Sequence, residues 1–268
     1  MITQAEKASQ FLALHQPGEP LLLPNPWDLG SVRVLASLGF KALATTSSGA
    51  AMSLGRTDGS LTRAEALEHA RAMAGFTDLP VSADLEQGFG DAPAEVARTI
   101  SLAMDAGLAG CSIEDYSGSS LYDIGLATER IAAAADLAHV GEVPFVLTAR
   151  AENHIRGHPD LADTITRLQA YQQAGADVLY APGLTDLADI RQVISSLDRP
   201  VNVLFLPGSP PVPELAAAGV SRISVGGAFA YAAYAALADA AISLRDQGTY
   251  PRGGDSQGLS AVRTAFSS

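Results

Sequence analysis

Four times along this chain an alanine-rich stretch ends in Ala-Gly or Leu-Gly and passes, within a residue or two, into a short apolar run. The copies are Leu38-Gly39-Phe40-Lys41-Ala42-Leu43-Ala44, Ala106-Gly107-Leu108-Ala109-Gly110-Cys111-Ser112-Ile113, Ala174-Gly175-Ala176-Asp177-Val178-Leu179-Tyr180 and Ala218-Gly219-Val220-Ser221-Arg222-Ile223-Ser224-Val225. Glycine just past a helix end, followed by a buried strand, accounts for each of them. Other strands begin after proline, at Pro80-Val81, Pro144-Phe145-Val146-Leu147 and Pro200-Val201-Asn202-Val203-Leu204, where a missing N–H costs least. With Leu21-Leu22-Leu23 added, eight strands are predicted near 21–24, 41–45, 80–84, 110–114, 144–149, 177–181, 200–206 and 222–226. Alanine-rich helical segments at 62–75, 93–106, 126–139, 160–174 and 185–197 separate most of them. Strands alternating with helices imply a parallel sheet with right-handed crossovers, and eight such units predict a closed (β/α)8 TIM barrel. A doubly wound sheet fits less well, because no Gly-x-Gly-x-x-Gly follows the first strand. The domain reading is one barrel over 1–247, C-terminal helix included, followed by a mobile tail over 248–268.

The 268 residues suit a single barrel, whose ordinary size is roughly 250 residues. Seventeen basic and 29 acidic residues give a net charge of −12, which repels nucleic acid and anionic lipid. An anionic substrate must therefore be attracted locally, by a metal or by a few arginines. No apolar run approaches the ~20 residues of a membrane helix, and the N-terminus lacks the basic-then-apolar pattern of a secretion signal. Cys111 is the single cysteine and cannot form an intrachain disulfide, which fits a reducing cytoplasm. The expected setting is cytoplasmic, with no nucleic-acid and no membrane partner.

In a barrel the strand C-termini share one rim, where active sites are built. The stretch Ser82-Ala83-Asp84-Leu85-Glu86-Gln87-Gly88-Phe89-Gly90 brings two carboxylates to the third strand end, and Ile113-Glu114-Asp115 closes the fourth. Side chains at i and i+2 of a strand share a face, so Asp84 and Glu86 are expected to converge. Carboxylates with no Cys or His beside them suit a hard cation held by oxygen, such as Mg²⁺. Arg150 and Glu152 follow the fifth strand, Asn202 lies in the seventh, and Thr45, Thr46, Ser47 and Ser48 follow the second. Arg150 can pair with a substrate carboxylate through a bidentate fork. Thr45 to Gly49 reads equally well as a helix-capping turn or as an anion cradle. Cys111 reads as a small core residue, and Trp27 as a plug or a cavity wall.

These stretches resemble the isocitrate lyase / phosphoenolpyruvate mutase superfamily over roughly 10–245. The matching motifs are Asn25-Pro26-Trp27-Asp28, Thr46-Ser47-Ser48-Gly49 through Ser53-Leu54-Gly55 to Asp58, Asp84 to Gly90, Ile113-Glu114-Asp115 and Thr148-Ala149-Arg150-Ala151-Glu152, in matching order and spacing. The resemblance implies a (β/α)8 barrel whose last helix is swapped between subunits of a homodimer or homotetramer. It implies Mg²⁺ or Mn²⁺, with Asp84 in direct contact and Glu86 and Glu114 acting mostly through water. It further implies Asp58 in a loop over the metal and Arg150 on the substrate carboxylate. Thr45, Thr46 and Ser47 would cradle the substrate, and Asn202 would line the cavity. The implied reaction is carbon–carbon cleavage or decarboxylation of a small 2-oxo or 2-hydroxy (di)carboxylate through a metal-stabilised enolate. Phosphonopyruvate mutase or hydrolase chemistry, or 2-oxo acid binding with little catalysis, are the alternatives. The lyases' Lys-x-Cys-Gly-His loop is absent here, where Tyr116-Ser117-Gly118-Ser119-Ser120-Leu121-Tyr122 stands in its place. The group that would protonate or select a leaving group therefore stays open between Tyr116, Tyr122 and a loop serine.

Overall fold

The computed structural model describes residues 2–250 and 256–267. Along them run α1 (Gln4–Ala13), β1 (Leu21–Leu23), α2 (Leu29–Ser37), β2 (Leu43–Ala44), α3 (Ser47–Ser53), α4 (Arg63–Phe76), β3 (Val81–Asp84), α5 (Pro93–Asp105), β4 (Gly110–Glu114), α6 (Ile124–Ala138), β5 (Val146–Arg150), α7 (Leu161–Gln173), β6 (Val178–Tyr180), α8 (Leu187–Ser195), β7 (Val201–Leu204), α9 (Val212–Ala217), β8 (Arg222–Ser224), α10 (Ala228–Gln247) and α11 (Gln257–Ala265). The strands form one eight-stranded sheet in the order β1-β8-β7-β6-β5-β4-β3-β2. Every ladder is parallel. At the seam between β1 and β2 the Ala44 N–H donates to the Pro24 carbonyl at 3.1 Å. The result is the expected (β/α)8 barrel, nearly closed. Among the described residues no helix is long and apolar enough to cross a membrane.

Alternation along each strand sorts side chains between two cores. Leu43, Val81, Ala83, Cys111, Ile113, Leu147, Ala149, Leu179, Val201, Val203 and Ile223 pack outward against the helices. Leu21, Leu23, Ala42, Ala44, Val146 and Val178 form a separate cluster with Ala8 and Phe11 of α1. The first helix, which the sequence reading did not assign, therefore plugs the bottom of the barrel. It starts at a capping box in which Thr3 and Glu6 satisfy each other's backbone N–H groups. Gly110 lets the plug seat, because a Cβ there would lie 2.5 Å from the Val146 carbonyl and 3.2 Å from the Phe11 ring.

Beyond β8 the chain departs from a closed ring of helices. Of α10, only Ala230 is buried, and Tyr231, Leu237, Ile242 and Leu244 are largely exposed. Leu22, on the outward register of β1, is itself 42% exposed, so the helix ring leaves this stave partly bare. The segment expected to be a mobile tail contains a helix, α11, with Ala265 buried and Phe266 beside Arg33 near α2. Residues 251–255 and 268 of that expected tail lie outside the described residues.

The plug carries one titratable group in an apolar setting. His15 is 5% exposed, its Nδ1 donates to the Phe11 carbonyl at 2.8 Å, and its Nε2 lies 3.3 Å from Arg222 Nη1. Burial, reinforced by the charge of Arg222, lowers its pKa to about 3. The unfolded chain binds this proton near the ordinary value of about 6.5, so the folded state holds fewer protons between the two values. Stability is then complete above about pH 6.5 and falls as the pH drops toward about 3, by on the order of 4 kcal/mol from this group. Urea unfolding across that range should show a flatter acid limb in His15→Gln than in the wild type; superimposable profiles would contradict the assignment.

Candidate active site

The rim of the barrel is organised around Arg150, the last residue of β5. Its Nη1 donates to Asp84 Oδ1 at 3.0 Å. Its Nε and Nη2 grip Glu152 Oε1 at 3.0 and 2.8 Å, and Nη2 lies 3.2 Å from Glu114 Oε2. Register explains the convergence, since Glu114 pairs directly with Arg150 across β4 and β5. Glu152 is fully buried and also holds Arg156, whose Nη2 lies 3.1 Å away. Arg156 reaches Glu114 Oε1 at 3.5 Å and stacks on the Tyr116 ring at 4.1 Å. Although burial opposes it, Glu152, Glu114 and Asp84 hold the Arg150 guanidinium well above its ordinary pKa.

Negative charge nevertheless exceeds positive. Burial pushes Glu114 well above the usual carboxylate range, with Arg150 pulling the other way. Glu86 rises to about 7, first through burial and then through the charges of Asp84 and Asp58. Its Oε1 is buried without a hydrogen-bond partner. Glu86 also arrives by a different route than strand alternation. β3 ends at Asp84, and Glu86 lies in the following turn with φ +49, a left-handed conformation that disfavours residues with a side chain. Its carbonyl accepts the Glu114 N–H at 2.9 Å, which ties the turn to β4. The rest of the loop is clamped by Arg130, which donates to the carbonyls of Gln87, Gly90 and Asp91.

The second-strand turn is split between structure and site. Ser47 N–H donates to Asp84 Oδ2 at 3.2 Å, and its hydroxyl lies 2.9 Å from the same atom and 3.2 Å from Asp58 Oδ1. Asp58 is thus brought to the acidic cluster from the loop before α4. Thr45 Oγ1 accepts the Asp84 N–H at 3.0 Å. Thr46 caps α3 by accepting the Gly49 N–H. Asn25 Nδ2 donates to the Thr45 carbonyl, and its Oδ1 accepts the N–H groups of Val225 and Gly226, joining the ends of β1, β2 and β8.

A cavity of about 50 Å³ runs down the barrel axis below this rim, lined among others by Thr45, Asp84, Arg150, Tyr180, Asn202 and Arg222. Asn202 Nδ2 donates to Ser224 Oγ at 3.0 Å, and its Oδ1 accepts from Arg222 Nε at 2.9 Å. The sequence reading gave no site role to Glu152, Arg156, Tyr180 or Arg222. Their signals were the i, i+4 spacing of Glu152 and Arg156, and the alternation of Arg222 and Ser224 with Ile223 and Val225. Tyr122, one candidate for acid–base work, donates to Asp91 at 2.6 Å beneath the Arg130 guanidinium and is raised to about 12, chiefly by burial. The Ser117 to Ser120 loop is hydrogen-bonded to itself.

Among the described residues, no three His, Cys, Asp or Glu side chains form a ready-made metal cluster, because Arg150 stands between the acids. The donor set still fits a hard cation: oxygen ligands only, more acids than bases, and a buried Glu86 oxygen with no partner.

The family described as phosphoenolpyruvate phosphomutase matches residues 11–245 of this sequence. The chain belongs to that family. It resembles a crystal structure of a Burkholderia cenocepacia J2315 protein, with a TM-score of 0.93 and 48% identity, over 99% of this chain and 97% of the other. An oxaloacetate decarboxylase of Chromohalobacter salexigens is 31% identical over 91% of this chain and 86% of its own length. The crystal structure of 2,3-dimethylmalate lyase, a PEP mutase/isocitrate lyase superfamily member, gives a TM-score of 0.83 at 27% identity, over 99% of this chain and 95% of that one. The phosphoenolpyruvate phosphomutase family is one of enzymes, lyases as well as mutases, and the acid-rich rim is where its chemistry is expected.

An unpartnered acid at a site costs stability. At pH 8, with divalent cations removed, Glu86→Gln should unfold at the same or a higher urea concentration than the wild type, with a gain of up to about 1 kcal/mol. A loss of that size instead would show that the carboxylate is held by the fold.

Proposed function

We propose that the protein is a divalent-cation-dependent carbon–carbon lyase, and within that class a decarboxylase, acting on a small 2-oxo dicarboxylate. The observation that supports this most is the surplus of acids around Arg150, with Glu86 Oε1 buried and unpartnered. Asp84, Glu86 and Glu114 would hold Mg²⁺ or Mn²⁺, and Asp58 would add negative charge from above. Such a cation supplies Lewis acidity toward a substrate carbonyl oxygen. Arg150, already poised by Glu152, would orient the substrate carboxylate through its planar fork once it shares Asp84 and Glu114 with the cation. Thr45 and Ser47 fix Asp84 from its backbone and its carboxylate sides, which keeps that side chain in one orientation. When the bond to the departing carboxylate breaks, carbon dioxide leaves and the electron pair delocalises as an enolate. Protonation by water then gives the 2-oxo monocarboxylate.

Decarboxylation is favoured over aldol-type cleavage by what the loop after β4 offers. Cleavage of a 2-hydroxy substrate requires a base for the hydroxyl and an acid for the new carbanion. Tyr122 is committed to Asp91, the loop serines are committed to one another, and the Tyr116 ring lies against the Arg156 guanidinium, so neither tyrosine is a free base. Decarboxylation requires no such group from the protein. The relative named oxaloacetate decarboxylase agrees with this choice. Purified enzyme should release pyruvate from oxaloacetate with Mg²⁺ or Mn²⁺, lose that activity in EDTA, and fall by at least about 100-fold in Asp84→Asn. Turnover unaffected by EDTA, or phosphate release from phosphonopyruvate as the faster reaction, would overturn the reading.

A cytoplasmic homo-oligomer completes the proposal. The bare stave at Leu22 and the exposed apolar side chains of α10 are complementary needs: one barrel lacks a covering helix, and one helix lacks a surface. A second copy of the chain exchanging α10 would satisfy both. Sedimentation analysis at micromolar concentration should give a dimer or tetramer, and a monomer would exclude the exchange.

A further inference from the structure

The two guanidinium groups that line the cavity are in opposite states. Arg150 is neutralised by Asp84, Glu114 and Glu152. Arg222 is only 4% exposed, and among the described residues its side chain contacts no carboxylate. Its contacts are neutral: Nε donates to the Asn202 amide oxygen at 2.9 Å, and Nη1 lies 3.3 Å from the His15 imidazole. A buried arginine without an anion is costly, and proteins rarely keep one without a counter-charge.

Its position gives the charge a purpose. Arg222 opens β8 and reaches the plug through His15, whereas Arg150 closes β5 at the rim. Arg222 therefore marks the floor of the cavity and Arg150 its mouth. Asn202 and Ser224 are held in a fixed chain from Arg222. An anionic group that faced the rim acids would be repelled, and Arg222 is the cation available below them. The cavity, about 50 Å³, has room for a small group such as a carboxylate.

We propose that Arg222 is the specificity-determining residue of this pocket, receiving the second carboxylate of a small dicarboxylate on the cavity floor while Arg150 and the rim engage the first. The inference rests on the dicarboxylate reading given above and assigns the end of the substrate that reading leaves open. Burial, together with the charge of Arg150, lowers Arg222 to about 10, still protonated at neutral pH. The Nη groups that face neutral partners remain able to donate to an arriving carboxylate.

The test compares two stable ligands of equal chain length, malate and 2-hydroxybutyrate, by titration calorimetry in the presence of Mg²⁺. The wild type should bind malate at least tenfold more tightly. In Arg222→Met, which keeps the buried stem, malate affinity should fall about 10- to 100-fold, while 2-hydroxybutyrate stays within twofold. Arg222→Lys should retain part of the preference. His15→Gln alters the other partner of the guanidinium without touching its charge, and should leave the ratio within twofold. If Arg222→Met weakens both ligands equally, or if the wild type binds both without preference, Arg222 is a structural residue and the inference fails while the rim reading stands. If the wild type binds neither ligand, the dicarboxylate reading itself fails. Should Arg222→Met prove unfolded by circular dichroism, the ratio in Arg222→Lys decides: an unchanged preference overturns the proposal, and a reduced one supports it.

Discussion

The rim depends on one electrostatic compromise: a single guanidinium compressed between acids that the ends of three strands deliver to it. Asp84 comes from β3, Glu114 from β4 and Glu152 from just after β5, and Arg150 touches all of them. Water-poor surroundings make each contact stronger than its surface equivalent, and breaking such a pair costs about 3–5 kcal/mol. The same surroundings make every excess charge expensive. Glu86 and Glu114 register that expense as raised pKa values, and Glu86 also accepts a left-handed backbone. A fold tolerates such a cluster where a ligand relieves it, which is how a site differs from a salt-bridge network.

The scaffold answers this by rigidity elsewhere. Glu152 is pinned by Arg156 and by its own N–H to Asp115 Oδ1 at 2.8 Å. Asp115 is in turn held by Tyr171 and Arg167, so the acids behind Arg150 are fixed from the helix layer. Arg130 plays the same part for the turn that carries Glu86. At the bottom, α1 seals the barrel with Phe11 and presents His15 to Arg222, so the plug and the cavity floor are one hydrogen-bonded unit.

Much of this architecture was legible in the sequence, because the barrel repeats its grammar. Glycine after a helix and proline before a strand mark seven staves besides the first, and the observed strands fall within the expected ranges except β5, which runs one residue further, to Arg150. The helix α1 escaped notice because its apolar face is narrow, burying chiefly Ala8 and Phe11, although its Thr3 and Glu6 capping pair was visible. Asp84, Glu114 and Arg150 were legible as strand-end polar residues. Strand alternation predicts that Glu86 joins the cluster, but it arrives by a turn beyond the end of β3. Arg222 is hard to place from sequence, because a lone charge in an apolar run signals a strand without saying which face it takes. The neutral role of Tyr122 could not be read from sequence, since it depends on Asp91, far away along the chain. Thr46 shows the same ambiguity from the other side, since its capping role and a ligand role call for the same hydroxyl.

The direct measurement of the central claim is the binding of Mn²⁺ to the wild type and to Asp84→Asn, followed by electron paramagnetic resonance as the free-ion signal is lost. One tightly bound ion per chain is expected in the wild type, with binding weakened at least about 100-fold when the Asp84 carboxylate is neutralised. A wild type that leaves Mn²⁺ free at millimolar concentration, or a variant that binds it equally well, would contradict the view that the acids around Arg150 are gathered for a cation.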